Sequence, residues 1–272
     1  MVRSLWTAAT GMNAQQTNVD TIANNLANVN TVGYKTQVNQ FKSLLYQNLQ
    51  TETTSANGAN KPTGAQVGLG VRSASITTVF TTVNLTASEN DAAFALVGDG
   101  FFAVRGNDGN TYYTKNGNFN WAINTQGGVS LCTSEGYPVL DSDGKAIELN
   151  GDYQTSKITI SSDGTVCYPD EQNNPASIGI TIGVFQFNNP GGLEKEGNTM
   201  YSVTAASGPA LNEATTAGLQ KTEVRQGYLE SSNVQVVDEM VNLIVAQRAY
   251  EMNSKAITTT DEMMQQANNL KQ

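Results

Sequence analysis

The two ends of this chain carry the same spacing. Near the start, Leu5, Ala8, Met12, Gln15, Val19, Ile22, Leu26 and Val29 recur at alternating intervals of three and four residues. Near the finish, Val236, Met240, Leu243, Gln247, Tyr250, Ser254, Ile257 and Met264 keep that register, with Asp261 interrupting it before Met264. A three–four repeat is the seam of a helix packed lengthwise on another helix. The spacing therefore predicts a helix over residues 3–30, a second over 231–270, and pairing between them although some two hundred residues intervene.

Between the helices the signals are those of β-structure. Apolar and polar residues alternate through VRSASITTVF and FALVGDGFFAV. Turn dipeptides recur at Asp108-Gly109, Asn116-Gly117, Gly127-Gly128, Asp143-Gly144, Asn150-Gly151, Asp163-Gly164 and Pro190-Gly191, the punctuation of antiparallel hairpins. The predicted class is α+β, with paired, coiled-coil-like terminal helices and a central antiparallel all-β domain. Its divisions are a first helix within 1–34, a short helix and extended arm over 35–75, and a β-domain over 76–205. A return connector over 206–230 and the second helix within 231–272 complete it. Phe41, Leu44, Leu45 and Leu49 suggest the short amphipathic helix, and the Thr-, Asn- and Gly-rich run TETTSANGANKPTGAQVGLG the arm. Gly33 is the expected left-handed residue after the first helix. Ser231, Ser232 and Asn233 are N-cap candidates for the second, with Asp238 and Glu239 in its first turns.

Charge is scarce. Asp, Glu, Lys and Arg make up 14% of residues, against about 25% in ordinary soluble domains. The first helical stretch has only Arg3 and Asp20. Asn13, Gln16, Asn18, Asn24, Asn25 and Asn28 stand where charges would be expected. Carboxamides hydrogen-bond to neighbouring protein without the cost of desolvating a charge. Asn and Thr are also weak helix formers, so this helix is expected to be weak alone and ordered on assembly. A neutral, extracytoplasmic β-protein is the alternative that composition leaves open. A net charge of −9 with no basic stripe lacks the electrostatic footprint of a nucleic-acid binder. The opening residues show neither the pattern of a cleaved signal peptide nor that of a membrane span.

Much enzyme chemistry is excluded. The chain has no histidine, which removes Ser-His-Asp and Cys-His nucleophiles, histidine-ligated zinc and the usual neutral-pH base. No phosphate-binding glycine motif occurs. Gly68-Leu69-Gly70 is only a glycine pair, and Gly98-Asp99-Gly100 reads as a bend entering a core strand at Phe101-Phe102. Asp91, Asp99, Asp141, Asp143, Glu148 and Asp163 are the carboxylates from which a glycosidase pair would be drawn. Most adjoin Gly in turns, where Asp serves the backbone. Asp141-Ser142-Asp143-Gly144 lacks the downstream Glu of a calcium loop and reads as a hairpin turn. Cys132 and Cys167, the only cysteines, lie in strand-like runs and read as free thiols; spacing alone leaves a bridge open. No cofactor, metal or small-molecule substrate is expected. The reading from a different class is a secreted β-domain adhesin or glycan enzyme with trimerising helices.

Three ordered motifs add a resemblance. The run Ala23-Asn24-Asn25-Leu26-Ala27-Asn28-Val29-Asn30-Thr31-Val32-Gly33-Tyr34-Lys35 resembles the N-terminal signature of the bacterial flagellar rod and hook axial proteins. Gly227-Tyr228-Leu229-Glu230-Ser231-Ser232-Asn233-Val234, then Asn242-Leu243-Ile244, Gln247-Arg248-Ala249-Tyr250-Glu251 and Asn253-Ser254-Lys255, resemble the other signature. Between them lie Gly98-Asp99-Gly100-Phe101-Phe102-Ala103-Val104 and Tyr113-Thr114-Lys115-Asn116-Gly117-Asn118-Phe119. The opening Arg3-Ser4-Leu5-Trp6-Thr7-Ala8-Ala9-Thr10-Gly11-Met12 and the Gly68-Leu69-Gly70-Val71 end of the arm resemble the distal-rod branch rather than the proximal-rod or hook branches. Two departures stand out. Thr82-Val83 replace a common Gln-Gly pair, which predicts a different local turn, and Lys115 replaces a common Arg, giving up a bidentate contact.

The resemblance implies a structural subunit that self-assembles into a hollow helical drive shaft, transmits torque to the hook and encloses the export channel. It implies export by the flagellar type III apparatus without signal cleavage and a place in the basal body. The implied partners are copies of itself, neighbouring rod and hook proteins, the export apparatus and the surrounding bushing rings. Its terminal helices would line the inner tube, through the seam residues Leu5, Ala8, Met12, Val19, Ile22, Leu26, Val29, Val236, Met240, Leu243, Tyr250, Ile257 and Met264. The motif positions it singles out are Asn24, Asn25, Leu26, Asn28, Gly33, Tyr34, Gly227, Asn233, Gln247, Arg248 and Tyr250.

Overall fold

A computed structural model describes residues 3–50, 53–54, 60–61, 64–124, 127–150, 153–170, 174–216 and 218–270. Parts of the arm, including 55–59, and Gly151 of the Asn150-Gly151 turn lie outside the described residues. Two compact units share the chain. One comprises Met1–Ala27, Gln37–Thr78 and Val234–Gln272, and the other Asn28–Thr36 and Val79–Asn233.

In the first unit, helix α1 (Arg3–Ala27) packs on helix α2 (Val236–Asn269) and on the antiparallel pair β1 (Gln37–Ser43) and β6 (Val71–Thr78). The arm between those strands holds two further antiparallel pairs. One joins β2 (Tyr46–Gln50) to β5 (Ala65–Gly68), and the other joins β3 (Thr53–Thr54) to β4 (Asn60–Lys61). The short helix expected around Phe41–Leu49 is therefore not formed. Its apolar spacing is helical only locally. The partner strand about thirty residues downstream decides the conformation, and such pairing overrides local period. No described helix is long and apolar enough to cross a membrane.

Both helices are shorter than their apolar spacing suggests. α1 stops at Ala27, and Asn28–Asn30 form turns. α2 starts at Val236 with Gln235 in an extended conformation and no side-chain cap. Ser231, Ser232 and Asn233 thus precede the helix and do not cap it.

The second unit is antiparallel β-structure. Strand β7 (Leu85–Ala87) pairs with Tyr228–Glu230, and β8 (Phe94–Val97) with Glu223–Gln226. Strand β9 (Phe101–Arg105) lies within a six-stranded sheet in the order Glu194–Gly197, Met200–Ser202, β10 (Thr111–Thr114), β9, Val184–Gln186, Leu211–Asn212. The 206–230 stretch, expected as a connector, supplies three of these strands. They are short, and their partners are distant in sequence, so no alternation reveals them. The order is completed by two three-stranded sheets. β11 (Phe119–Ile123), β12 (Val129–Thr133) and Glu148–Leu149 form one, and Thr159–Ile160, Thr165–Pro169 and Pro175–Thr181 the other.

The unbroken apolar run of β9 follows from its place between two cores. Phe102 and Val104 join Phe94, Leu96, Phe119 and Leu131 on one side. Phe101 and Ala103 join Tyr113, Leu140, Phe187 and Tyr201 on the other. Side chains alternate along a strand, so a strand covered on both faces must be apolar throughout. In the second core the rings of Tyr113 and Phe187 meet edge to face at 4.9 Å, and Phe101 meets Phe187 at 5.4 Å.

Cys132 on β12 is buried and Cys167 half-buried, and both are free thiols. The Asp141–Gly144 segment is a hairpin turn. Gly144 N–H donates to the Asp141 carbonyl at 3.1 Å, and Asp141 Oδ1 accepts the amides of Asp143 and Lys145. The Thr82-Val83 departure produces no turn, since residues 79–84 run without regular structure into β7.

Candidate functional site

The signature residues assemble two polar clamps, one within each unit. In the first unit Asn25, buried near the end of α1, reads the backbone at Gln37 in both directions. Its Nδ2 donates to the Gln37 carbonyl at 2.8 Å and its Oδ1 accepts the Gln37 amide at 2.9 Å. Nδ2 also reaches Glu239 Oε1 of α2 at 3.3 Å. One carboxamide thus ties α1, β1 and α2 together. Burial pushes the Glu239 carboxyl above its ordinary pKa, the Asn25 bond opposes that shift, and neighbouring Asp238 adds to it.

The second clamp fastens three strands of chain in the β unit. Asn233 Oδ1 accepts from the Thr36 amide at 2.5 Å and from its hydroxyl at 2.7 Å. Its Nδ2 donates to the Val79 carbonyl at 2.9 Å and to Thr81 Oγ1 at 3.2 Å. Beside it, Lys35 and Glu230 form an ion pair at 2.6 Å with both side chains fully buried. Lys35 Nζ also donates to the Thr81 carbonyl at 2.8 Å, and Gly33 N–H to the Glu230 carbonyl at 2.9 Å. Gly33 has φ +70°, and a Cβ there would lie 2.6 Å from the backbone nitrogen of Asn116. Only glycine satisfies both constraints.

Lys115 lies against this cluster. Its Nζ donates to the Gly98 carbonyl at 2.7 Å and lies 5.0 Å from the centre of the Phe101 ring. Burial lowers its pKa to about 8, with Glu230 pulling it up and Lys35 pushing it down. A single carbonyl contact suffices here, which a lysine provides without the fork of an arginine.

Other signature positions serve locally. Asn28 Oδ1 accepts from Thr31 Oγ1 at 3.1 Å, and Tyr34 is buried. Gly227 has φ +74°, and its N–H donates to the Ala93 carbonyl at 2.9 Å. Asn24 and Gln247 are exposed, and Arg248 pairs with Glu251 at 2.8 Å on the surface. Sequence reasoning missed the roles of Lys35, Glu230 and Asn233. The available signal was a Lys and a Glu inside otherwise uncharged motifs, where a lone charge asks for a partner.

The seam residues divide. On α1, Ala8 and Ile22 are buried, and Leu5, Met12, Val19 and Leu26 half-buried; Val29, past the helix end, is half-buried in the β unit. On α2, Leu243 and Ile257 are half-buried, whereas Val236, Met240, Tyr250 and Met264 are exposed. Within the chain α2 instead buries Glu239, Ala246 and Thr260. The buried residues of α1 include the small Ala8, Gly11 and Ala14. A Cβ on Gly11 would lie 2.8 Å from Asn253 Nδ2, so the helices meet at close range here. This leaves an apolar stripe uncovered on α2, formed by Val237, Val241, Ile244, Val245 and Met252.

Known proteins carry the same plan. Three family profiles match in order: flagella basal body rod protein over residues 5–35, the flagellar hook protein FlgE/F/G D1 domain over 95–168, and the flagellar basal body rod FlgEFG protein C-terminal region over 225–270. The flagellar basal-body rod protein FlgG of Borreliella burgdorferi is 42% identical over 277 residues, covering 100% of this chain and 99% of its own length. That of Buchnera aphidicola subsp. Schizaphis graminum is 40% identical, covering 99% of this chain and 100% of its own length. That of Bacillus subtilis is 37% identical with both chains covered in full. With identity at this level along the whole chain, and both terminal signatures built into clamps, the protein belongs to the FlgG family of flagellar basal-body rod proteins.

Proposed function

We propose that this chain is a structural, non-enzymatic subunit of the flagellar distal rod that polymerises into a hollow helical shaft carrying torque towards the hook. The observation that carries the reading is the uncovered stripe of α2. Val237, Ile244 and Met252 are 74%, 56% and 72% exposed. An isolated soluble helix rarely leaves so many large apolar side chains exposed on one face. Burying one such side chain contributes about 1.5–3 kcal/mol, so several per subunit offset the ordering of weak helices. Head-to-tail contacts that do not close produce a filament.

The exposed seam residues Val236, Met240, Tyr250 and Met264, with the half-buried Leu5, Met12, Val19, Leu26, Leu243 and Ile257, belong to that same interface between copies. The arm adds further apolar surface at Leu45, Tyr46 and Leu49, all exposed, and braces adjacent subunits. Neighbouring rod and hook proteins continue the stack. Passage through the type III export apparatus as an unfolded chain, without signal cleavage, and contact with the surrounding rings complete the proposed setting.

A pelleting assay on the purified chain tests the reading. Wild type is expected to form sedimentable filaments, and Ile244→Asp to remain soluble with its β unit folded. Soluble wild type under all conditions, or normal filaments from Ile244→Asp, overturns it. Basal bodies from a deletion strain, imaged by electron microscopy, should end after the proximal rod; a complete rod with no hook would instead indicate a hook subunit.

A further inference from the structure

Glu239 stands where α1, β1 and α2 meet, within the first unit. It is 8% exposed and lines a groove of about 210 Å³ built from those same three elements. Its Oε1 accepts from Asn25 Nδ2 at 3.3 Å, while that nitrogen donates to the Gln37 carbonyl at 2.8 Å. The carboxyl group thus receives the longer of these two bonds. Among the described residues, the walls of the groove offer it no cation. α1 contributes Asn18, Thr21 and Ile22, β1 contributes Gln37, Val38 and Asn39, and none of these titrates. On α2, Asn242 and Val245 are neutral, and the charge that acts on Glu239 is that of Asp238, of like sign. The contrast is with Glu230 of the β unit, which has Lys35 at 2.6 Å.

A buried carboxylate with no opposite charge beside it is more stable with its proton. Burial accordingly raises the pKa of Glu239, the Asn25 bond opposes the rise, and Asp238 adds to it. The neutral acid still has an oxygen to accept from Asn25. It sheds only the cost of a desolvated charge. The groove lets the proton exchange with solvent while the unit stays folded.

We infer that Glu239 is a proton-controlled latch: its neutral carboxyl fastens the end of α1 to β1 and α2, and its charged carboxylate loosens that junction. Asn25 carries the effect further, since its two bonds to Gln37 hold α1 on β1. The sign follows from linkage. A group whose pKa is raised on folding adds stability that is fully present below its ordinary value, about 4.5 here, and lost as pH rises through the folded value. Docking of α1 is therefore firm in mild acid and loose at neutral pH. The place of Glu239 in the first turns of α2 works the other way, because a helix N-terminus favours negative charge. The two effects predict opposite outcomes.

Hydrogen–deuterium exchange on the full chain, held at a concentration where it is monomeric, separates them. Protection factors, which remove the intrinsic pH dependence of exchange, are compared at about pH 5 and about pH 8 for the amides around Asn25 and Gln37. Wild type is expected to be several-fold better protected in acid. Glu239→Gln, neutral at every pH and still an acceptor for Asn25, is expected to show the acid level at both. Equal protection of wild type at the two pH values, or an unchanged pH dependence in Glu239→Gln, overturns the inference. Should Glu239→Gln fail to fold, the carboxyl carbon resonance of Glu239 in the wild type decides. A titration midpoint above about 4.5 supports the latch, and one at or below it shows that the helix N-terminus keeps the group charged and overturns it. Every readout is taken on the monomer, so the result is independent of filament formation.

Discussion

At the scale of single residues, the buried Lys35–Glu230 pair sets the strongest expectations. Two charges taken from water are tolerable only together. Glu230→Gln or Lys35→Met alone should destabilise the β unit by about 3–5 kcal/mol, whereas Lys35→Met with Glu230→Leu should cost far less. A double-mutant cycle in urea measures the coupling. Lys115 gives a pH signature. Its folded pKa of about 8 lies below the ordinary lysine value, so the unfolded chain binds the proton more tightly. Stability should therefore rise as pH passes from about 8 to about 10.5, the penalty being fully present below 8. Denaturant midpoints of wild type and Lys115→Met, compared across that window, should converge or cross as wild type gains. Parallel curves would show that burial does not penalise this charge. At Gly33, any side chain incurs left-handed strain of about 1–2 kcal/mol and a backbone clash, so Gly33→Ala should lower the thermal midpoint of the β unit measurably.

At the scale of elements, α1 invites a contrast. It carries neither acidic residues in its first turn nor basic residues in its last, and the N-terminal half of its buried side is made of small residues. Its amides should exchange rapidly in the monomer and slowly in the filament, read by hydrogen–deuterium exchange; protection already complete in the monomer would contradict folding on assembly. Gly11→Ala gains about 1 kcal/mol of intrinsic helicity and need move only the Asn253 amide, so it should be tolerated, while Gly11→Leu should part α1 from α2. The elements also show what was legible beforehand. The terminal helices announced themselves through period; β8 and β9 were expected as β-structure from alternation, but FALV and FFAV are continuous apolar runs, as strands covered on both faces require. The strands at 37–43, 211–212 and 223–226 did not, because their conformation comes from partners far along the chain. The α2 surface divided for a related reason. Spacing identifies an apolar stripe, but close approach to α1 favours Ala246 and Thr260 over Met240 and Tyr250. The Asn25 and Asn233 clamps were visible only as motif letters, since hydrogen-bond partners 12 and 197 residues away leave no local trace.

At the scale of the whole molecule, the apolar stripe and the scarcity of charge point one way. Each is a liability for a protein living alone and an asset for one surrounded by copies of itself. Ile244→Asp should abolish motility when it replaces the wild-type gene, with the monomer still exported, which swarm assays and culture-supernatant blots would show. Loss of export as well would place the defect before assembly.

Each unit is discontinuous in sequence, and the bond that locks the β unit joins residue 35 to residue 230 of a chain of 272. Such distant closures are slow and come late. In the export as an unfolded chain proposed above, this wiring would act as a timer. Lys35 would wait for Glu230, and α1 for α2, until almost the entire polypeptide had emerged. Under that proposal, the same connectivity that closes the finished part would keep the travelling chain pliable.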